Sequence, residues 1–388
     1  MQTENEIQVS HKELEKMIDI AYYTKSKVPM YIWGTIGIGK SDMVKTTTEK
    51  LSKKENRTFV IWNKLSKDEK YDVLDNVSKY FILWDYRLSS RDSTDLMGLP
   101  NLNGKDAVEW KIPLWLLCAC KKDAKGVIFF DELNLAVQSI QTSAYQLIRD
   151  RCIGEVALAD GVSVLSAGNR MSDKANVYDL PKPLQNRFIH CILKPPTVDD
   201  WIEWGLKHNV DTRIMAFLKF KEDMLMKFEP TSRDKAFPTP RSWGEYCNEL
   251  IQGVTDDMML ELLVTSAVGT GASLEFCSFL KAQEKLDLNK VLNNPESVRE
   301  LSIDLKYSLM HILSNWWKKN NTVDDTKTLL RVIEQMESEF AIMTLNFTRA
   351  VNKVVFRNRV LKIDLWTKGL GQQYGKFLYE SDVINNED

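Results

Sequence analysis

Histidine is scarce in this chain of 388 residues: four in all, scattered at His11, His190, His208 and His311. Cysteine is sparse too, with six residues and no CxxC pair. Thin and dispersed ligands argue against a zinc centre. The cysteines sit among apolar neighbours, as in Leu117-Cys118-Ala119-Cys120, and read as free buried thiols of a reducing compartment. No apolar run approaches the roughly 18 residues of a membrane span. The first residues, Met1-Gln-Thr-Glu-Asn-Glu, are polar and acidic, unlike a secretory leader. The expectation is a soluble, cytoplasmic protein. Net charge is nearly absent, with 52 Lys and Arg against 54 Asp and Glu. That balance disfavours a globally basic nucleic-acid coat. Composition is otherwise that of a globular protein, long enough for two or three domains.

What is present begins with alternation. Val28–Trp33, Thr58–Trp62, Tyr80–Trp84, Gly126–Phe130, Val162–Ala167 and Phe188–Leu193 are short apolar runs that read as buried strands. Ile153–Leu158 reads as one more strand, turning at Ala159-Asp160-Gly161. Helical patterns lie between these runs. One covers 10–26, with Ser10 as its N-cap; others cover 40–53, 113–122 and 135–150. The charged stretch 64–75 reads as a helix or insertion, and 100–112 as a hairpin. Strands alternating with helices predict an α/β fold with a parallel sheet over residues 1–195. Beyond Pro195-Pro196 the periodicity is helical throughout.

Gly34-Thr35-Ile36-Gly37-Ile38-Gly39-Lys40-Ser41 matches G-x-x-x-x-G-K-[ST], between a predicted strand and a predicted helix. In that context the loop amides and the helix N-terminus cradle phosphates. Lys40 reaches the β- and γ-phosphates and Ser41 ligates Mg²⁺; Asp42 follows in the same turn. Four apolar residues then lead into Asp131-Glu132. Asp131 is the second anchor for the metal, and Glu132 can orient or deprotonate an attacking water. The chain lacks an Asn/Thr-Lys-x-Asp guanine-reading pattern, which favours ATP. Asn169 ends an apolar strand, Arg187 precedes the last one, and Arg241 follows Pro240 at a helix start.

In this order the motifs resemble those of AAA+ ATPases, and specifically the MoxR-like group of the helix-2-insert clade with its dynein-related ATPase domain. Gly34 to Ser41 correspond to Walker A, Phe130-Asp131-Glu132-Leu133-Asn134 to Walker B, and Asn169 to sensor 1. Arg187 stands at the arginine-finger position, and Pro240-Arg241-Ser242-Trp243 at sensor 2. Arg87 to Pro100 is similar to the segment before the helix-2 insert, which would be 101–110. Tyr145 to Glu155 resembles the lead into the pre-sensor-1 hairpin. The resemblance implies a P-loop αβα core over 1–196, a helical lid over 197–270 and a helical extension over 271–388. It also implies ATP hydrolysis with Mg²⁺ in a ring, by expectation a hexamer. Glu132, Asn169, Arg187 and Arg241 would be the catalytic set, acting on a protein client, in this group often a von Willebrand factor A-type protein. The stretch 55–78 looks longer than the pattern of the group, and the last 110 or so residues have no counterpart in it.

Between Arg349 and Lys376 seven basic residues stand against Asp364 alone, interleaved with Phe356, Trp366 and Tyr374. Two further readings therefore stay open. One is a nucleic-acid motor using this tail, with Trp366 as a contact. The other is a nucleotide-gated scaffold without turnover, which the complete carboxylate and polar set disfavours.

Overall fold

The computed structural model describes residues 7–25, 27–90, 92–101, 109–153, 156–170, 180–229, 232 and 234–376. Its contacts divide the chain into two units, 1–195 and 196–388.

In the first unit, seven parallel strands form one sheet. They are β1 (Gln8–Val9), β2 (Met30–Trp33), β3 (Thr58–Ile61), β4 (Tyr80–Arg87), β7 (Lys125–Asp131), β10 (Gly161–Gly168) and β11 (Ile189–Leu193), in the order β1-β11-β2-β10-β7-β4-β3. Two short pairs stand apart from it: β5 (Leu99–Asn101) with β6 (Glu109–Lys111), and β8 (Cys152–Ile153) with β9 (Val156–Ala157). Central strands buried on both faces explain the unbroken apolar runs, such as Val127 to Phe130.

The helices α1 (His11–Tyr23), α2 (Lys40–Lys54), α3 (Lys67–Asp75), α4 (Ser93–Met97), α5 (Leu114–Ala119), α6 (Gln138–Asp150) and α7 (Lys182–Gln185) join these strands. The Ser10 hydroxyl accepts from the Glu13 amide while the Glu13 carboxylate accepts from the Ser10 amide, a capping box that starts α1 where the sequence places it. After β2 the chain crosses to β3 at the far edge of the sheet, whereas β11 and β10 flank β2. The carboxyl ends of β2, β10, β7 and β4 come together there, with Trp33 beside Gly168 and Asp131 beside Arg87. Such a crossing point is where open α/β sheets hold ligands.

One expectation changes. The strand expected over 153–158 does not join the sheet. It divides into β8 and β9, which pair with each other antiparallel. Arg151, at φ 55°, turns the chain off α6 into that hairpin, and residues 154–155 lie outside the described residues. The expected hairpin near 100–112 is present at its base as β5 and β6, while its tip, 102–108, lies outside the described residues. The stretch 55–78 supplies the edge strand β3 and α3, which Ser66 and Glu69 cap reciprocally.

Among the described residues, every regular element of the second unit is a helix. Phe217, Trp243 and Phe276 pack ring against ring at 5.3–5.8 Å. Met310 and Phe347 close the same cluster from helices Ile303–Lys319 and Ser338–Val351. A second cluster gathers Trp317, Phe356, Trp366 and Tyr374. This decides the reading left open for Trp366: it is 2 % exposed, and Phe356 and Tyr374 are buried beside it. Their spacing among basic residues is that of an amphipathic helical segment whose apolar side faces inward. No described helix is long and apolar enough to cross a membrane.

Candidate active site

The loop between β2 and α2 is shaped by its glycines. Gly37 and Gly39 take φ of 77° and 92°, a left-handed region that side chains other than glycine enter at a cost. Gly39 is also the N-cap of α2, so the helix starts at Lys40 with its first amides free to face a ligand. The Lys40 ammonium is buried. It donates to the carbonyls of Gly34 at 2.6 Å and Thr35 at 3.0 Å, and to Asn169 Oδ1 at 3.0 Å. On the next residue, the Ser41 hydroxyl donates to Asp131 Oδ2 at 2.7 Å. The structure thus brings Asn169 onto Lys40 and Asp131 onto Ser41, two hydrogen-bonded pairs that meet at consecutive residues of α2.

Glu132 ends β7 at φ 55°. A left-handed glutamate costs about 1–2 kcal/mol, and such strain gathers at functional sites. The turn frees the Glu132 carboxylate from the strand, and its amide donates to Asp131 Oδ1 at 3.0 Å. The Ser89 hydroxyl donates to Glu132 Oε2 at 3.4 Å. Both Asp131 oxygens are therefore engaged, while Glu132 keeps one oxygen for another donor.

Four residues near this group escaped the sequence reading. Asn134 Nδ2 donates to the Asn169 carbonyl at 2.7 Å. Asp85, on β4, has a buried Oδ1 with no hydrogen-bond partner among the described residues. Burial, and then the Asp131 charge, push its carboxyl above the ordinary range. His11 Nε2 donates to the Ile38 carbonyl at 2.9 Å, fixing the loop from α1. Arg170 Nη2 donates to the Thr35 hydroxyl at 3.0 Å. Asn134 lies inside the quoted Phe130–Asn134 motif and Arg170 follows Asn169, so their positions were visible although their partners were not. Asp85 and His11 are brought in by the fold alone.

Arg187 is exposed, next to Tyr145 on α6. A hydrogen bond to Arg187, with the Arg149 and Arg187 charges, holds the Tyr145 hydroxyl below the usual phenol range. Arg241 belongs to the second unit. Its side chain is part-exposed, 3.9 Å from Glu245. Two indoles hold its turn: Trp201 Nε1 donates to the Pro240 carbonyl at 3.2 Å, and Trp243 Nε1 to the Met224 carbonyl at 2.8 Å. Thr239 and Ser242 exchange amide-to-hydroxyl bonds across the same turn.

The set suits a hard divalent cation, since Ser41 and Asp131 offer oxygens that already converge, with the unsatisfied Asp85 oxygen on the neighbouring strand. The loop glycines, the buried ammonium and the helix start suit a polyphosphate.

No protein-family model matches the chain, and no curated protein matches it in sequence. Solved structures do resemble it. A RuvB variant from Thermotoga maritima is 16 % identical over 75 % of this chain and 78 % of its own, with a TM-score of 0.30. NtrX from Brucella abortus in complex with ATP is 12 % identical over 90 % and 70 %, with a TM-score of 0.35. An ATPase so described from Cytophaga hutchinsonii is 14 % identical over 91 % and 77 %, with a TM-score of 0.31. The fold class read from the sequence is the one observed: a parallel αβα core followed by a helical region.

Proposed function

We propose that this chain is a MoxR-like AAA+ ATPase that hydrolyses ATP and uses the change to remodel or activate a protein partner. The observation that carries the reading is the junction of Lys40, Ser41, Asp131 and Asn169 at the carboxyl ends of β2, β7 and β10. A kinase of small molecules has no use for a carboxylate beside the metal anchor, because its nucleophile is the substrate hydroxyl. Here Glu132 stands next to Asp131 on a strained turn.

In this reading the loop amides bind the polyphosphate, and Lys40 gives up its loop carbonyls to reach the β- and γ-phosphates. Ser41 and Asp131 would hold Mg²⁺, which would supply neutralising charge for the phosphoryl group in transfer. Glu132 orients the attacking water and takes its proton. Asn169, released from Lys40, is free to bond to that water or to the γ-phosphate. Arg187, exposed, suits a finger offered to ATP in the next subunit of a ring, and Arg241 suits a contact from the helical lid. The ring, by expectation a hexamer, and a von Willebrand factor A-type client follow from the resemblance stated above. The buried aromatics of the tail remove the support for base stacking by residues 349–376.

The test is ATP turnover by wild type and Glu132→Gln, with binding measured in parallel. Turnover should fall about 10²–10⁴-fold while ATP binding persists, and the trapped ATP form should retain its protein partner in a pull-down. Equal turnover by both proteins would overturn the assignment.

A further inference from the structure

Arg170 is a cation with a place on the phosphate loop and no anionic partner among the described residues. Its Nη2 donates to the Thr35 hydroxyl at 3.0 Å. Its Nε is shut from solvent and finds no acceptor among the described residues. No described carboxylate forms an ion pair with it. A part-buried guanidinium in this condition is costly, and a complementary anion would offset the cost.

Position identifies that anion. Lys40, the group that reaches the β- and γ-phosphates in such loops, lies on the Thr35 carbonyl and on Asn169 Oδ1. Arg170 is the next residue after Asn169 and lies on the Thr35 hydroxyl. An ammonium and a guanidinium therefore bracket the same residue, Thr35, from its carbonyl and its hydroxyl. Two cations converge where the last phosphate of a bound triphosphate would come. A guanidinium presents paired N–H groups that match two phosphate oxygens at once.

We propose that Arg170 is a ligand of the terminal phosphate of bound nucleoside triphosphate, supplied by the chain that binds the nucleotide. This rests on the ATPase reading above. Arg170 then separates triphosphate from diphosphate: with ATP its guanidinium turns from Thr35 to the γ-phosphate, and with ADP it stays on the hydroxyl. It differs from Arg187, whose proposed target lies in a neighbouring subunit.

The experiment is calorimetric binding of ATPγS and of ADP, each with Mg²⁺, to wild type, Arg170→Ala, Arg170→Gln and Arg170→Lys. Arg170→Gln keeps an amide donor while removing the charge and the guanidinium fork. The Ala and Gln variants should lose tenfold or more in ATPγS affinity, with ADP affinity within twofold of wild type. Arg170→Lys should recover part of the loss. An equal loss for both nucleotides would assign Arg170 a merely structural role and overturn the proposal. Unchanged ATPγS binding by the Gln variant would overturn it too. A wild-type protein that binds neither nucleotide would sink the ATPase reading itself, and this inference with it.

Discussion

Asn134 Nδ2 donates to the Asn169 carbonyl across 2.7 Å, tying the turn after the Asp131-Glu132 pair to the end of the neighbouring strand. The tie depends on Gly168. A Cβ there would fall 2.1 Å from the Tyr31 hydroxyl oxygen and 2.3 Å from Asn134 Oδ1, both deeply buried. Gly168→Ala should therefore displace Asn134 and slacken Asn169 and Glu132 together. Overpacking of this kind costs about 1–3 kcal/mol. Denaturant melts should show that loss, and ATP turnover should fall more than ATP binding does. An unchanged melt would mean that the tie carries no strain.

Arg187 offers a test of subunit cooperation. Arg187→Ala should bind ATP normally and turn it over at least about 10³-fold more slowly, the low end of what such fingers supply. Mixing it with Glu132→Gln chains should restore part of the activity. In mixed assemblies some sites pair an intact Glu132 with a neighbour's intact Arg187. No recovery on mixing would place Arg187 in its own subunit's site.

His311 makes the second unit sensitive to acid. Its ring is fully enclosed, with Nε2 2.8 Å from Gln283 Oε1 and Asn315 Nδ2 3.4 Å from Nδ1. Burial pulls its pKa from 6.5 down to about 4, against a smaller opposing pull from Asp211 and a push in the same direction from Arg213. The folded state thus binds this proton less well than the unfolded chain. The stability held by neutral His311 is complete above pH 6.5 and drains away as pH falls toward 4, about 3 kcal/mol in all. Urea melts at pH 7 and pH 4.5 should show a smaller pH-dependent loss for His311→Gln than for wild type. Identical pH dependence would contradict the assignment.

Trp366 separates a packing tail from a ligand-binding one. It fills a core with Trp317 and Phe356, whose rings meet edge to face at 5.2 Å. Trp366→Ala should cost about 3–5 kcal/mol, as for other large buried aromatics. A tryptophan poised to stack on a base would be replaced with little change in stability. Chemical denaturation distinguishes the two.

Local rules made much of this legible. The phosphate loop, the strand ends at Asp131 and Asn169 and the capped start of α1 are set by residues adjacent in sequence. Periodicity also gave the alternation of strand and helix. What escaped depends on strand order, which no local pattern encodes. Asp85 approaches Asp131 because β4 pairs with β7, and His11 reaches Ile38 because α1 lies against the loop. The strand misread over 153–158 failed for a related reason. Its apolar residues suit a strand, but the left-handed Arg151 breaks the path to the sheet. The side of the helix that Trp366 occupies stayed open because charge counted along the chain hides it.

The aromatic core of the second unit determines where this protein can be cut. Phe217 packs on Phe276, and Met310 and Phe347 close the cluster from helices that begin after residue 300. A fragment ending near residue 270 would keep Arg241 and its two indole braces but leave Phe217 and Trp243 bare to water. It would be sticky rather than foldable, and its arginine would lose the frame that aims it. The joint between Pro195 and Pro196 is a different matter, since each side of it carries its own core. Fragments, fusions and domain exchanges belong at that joint.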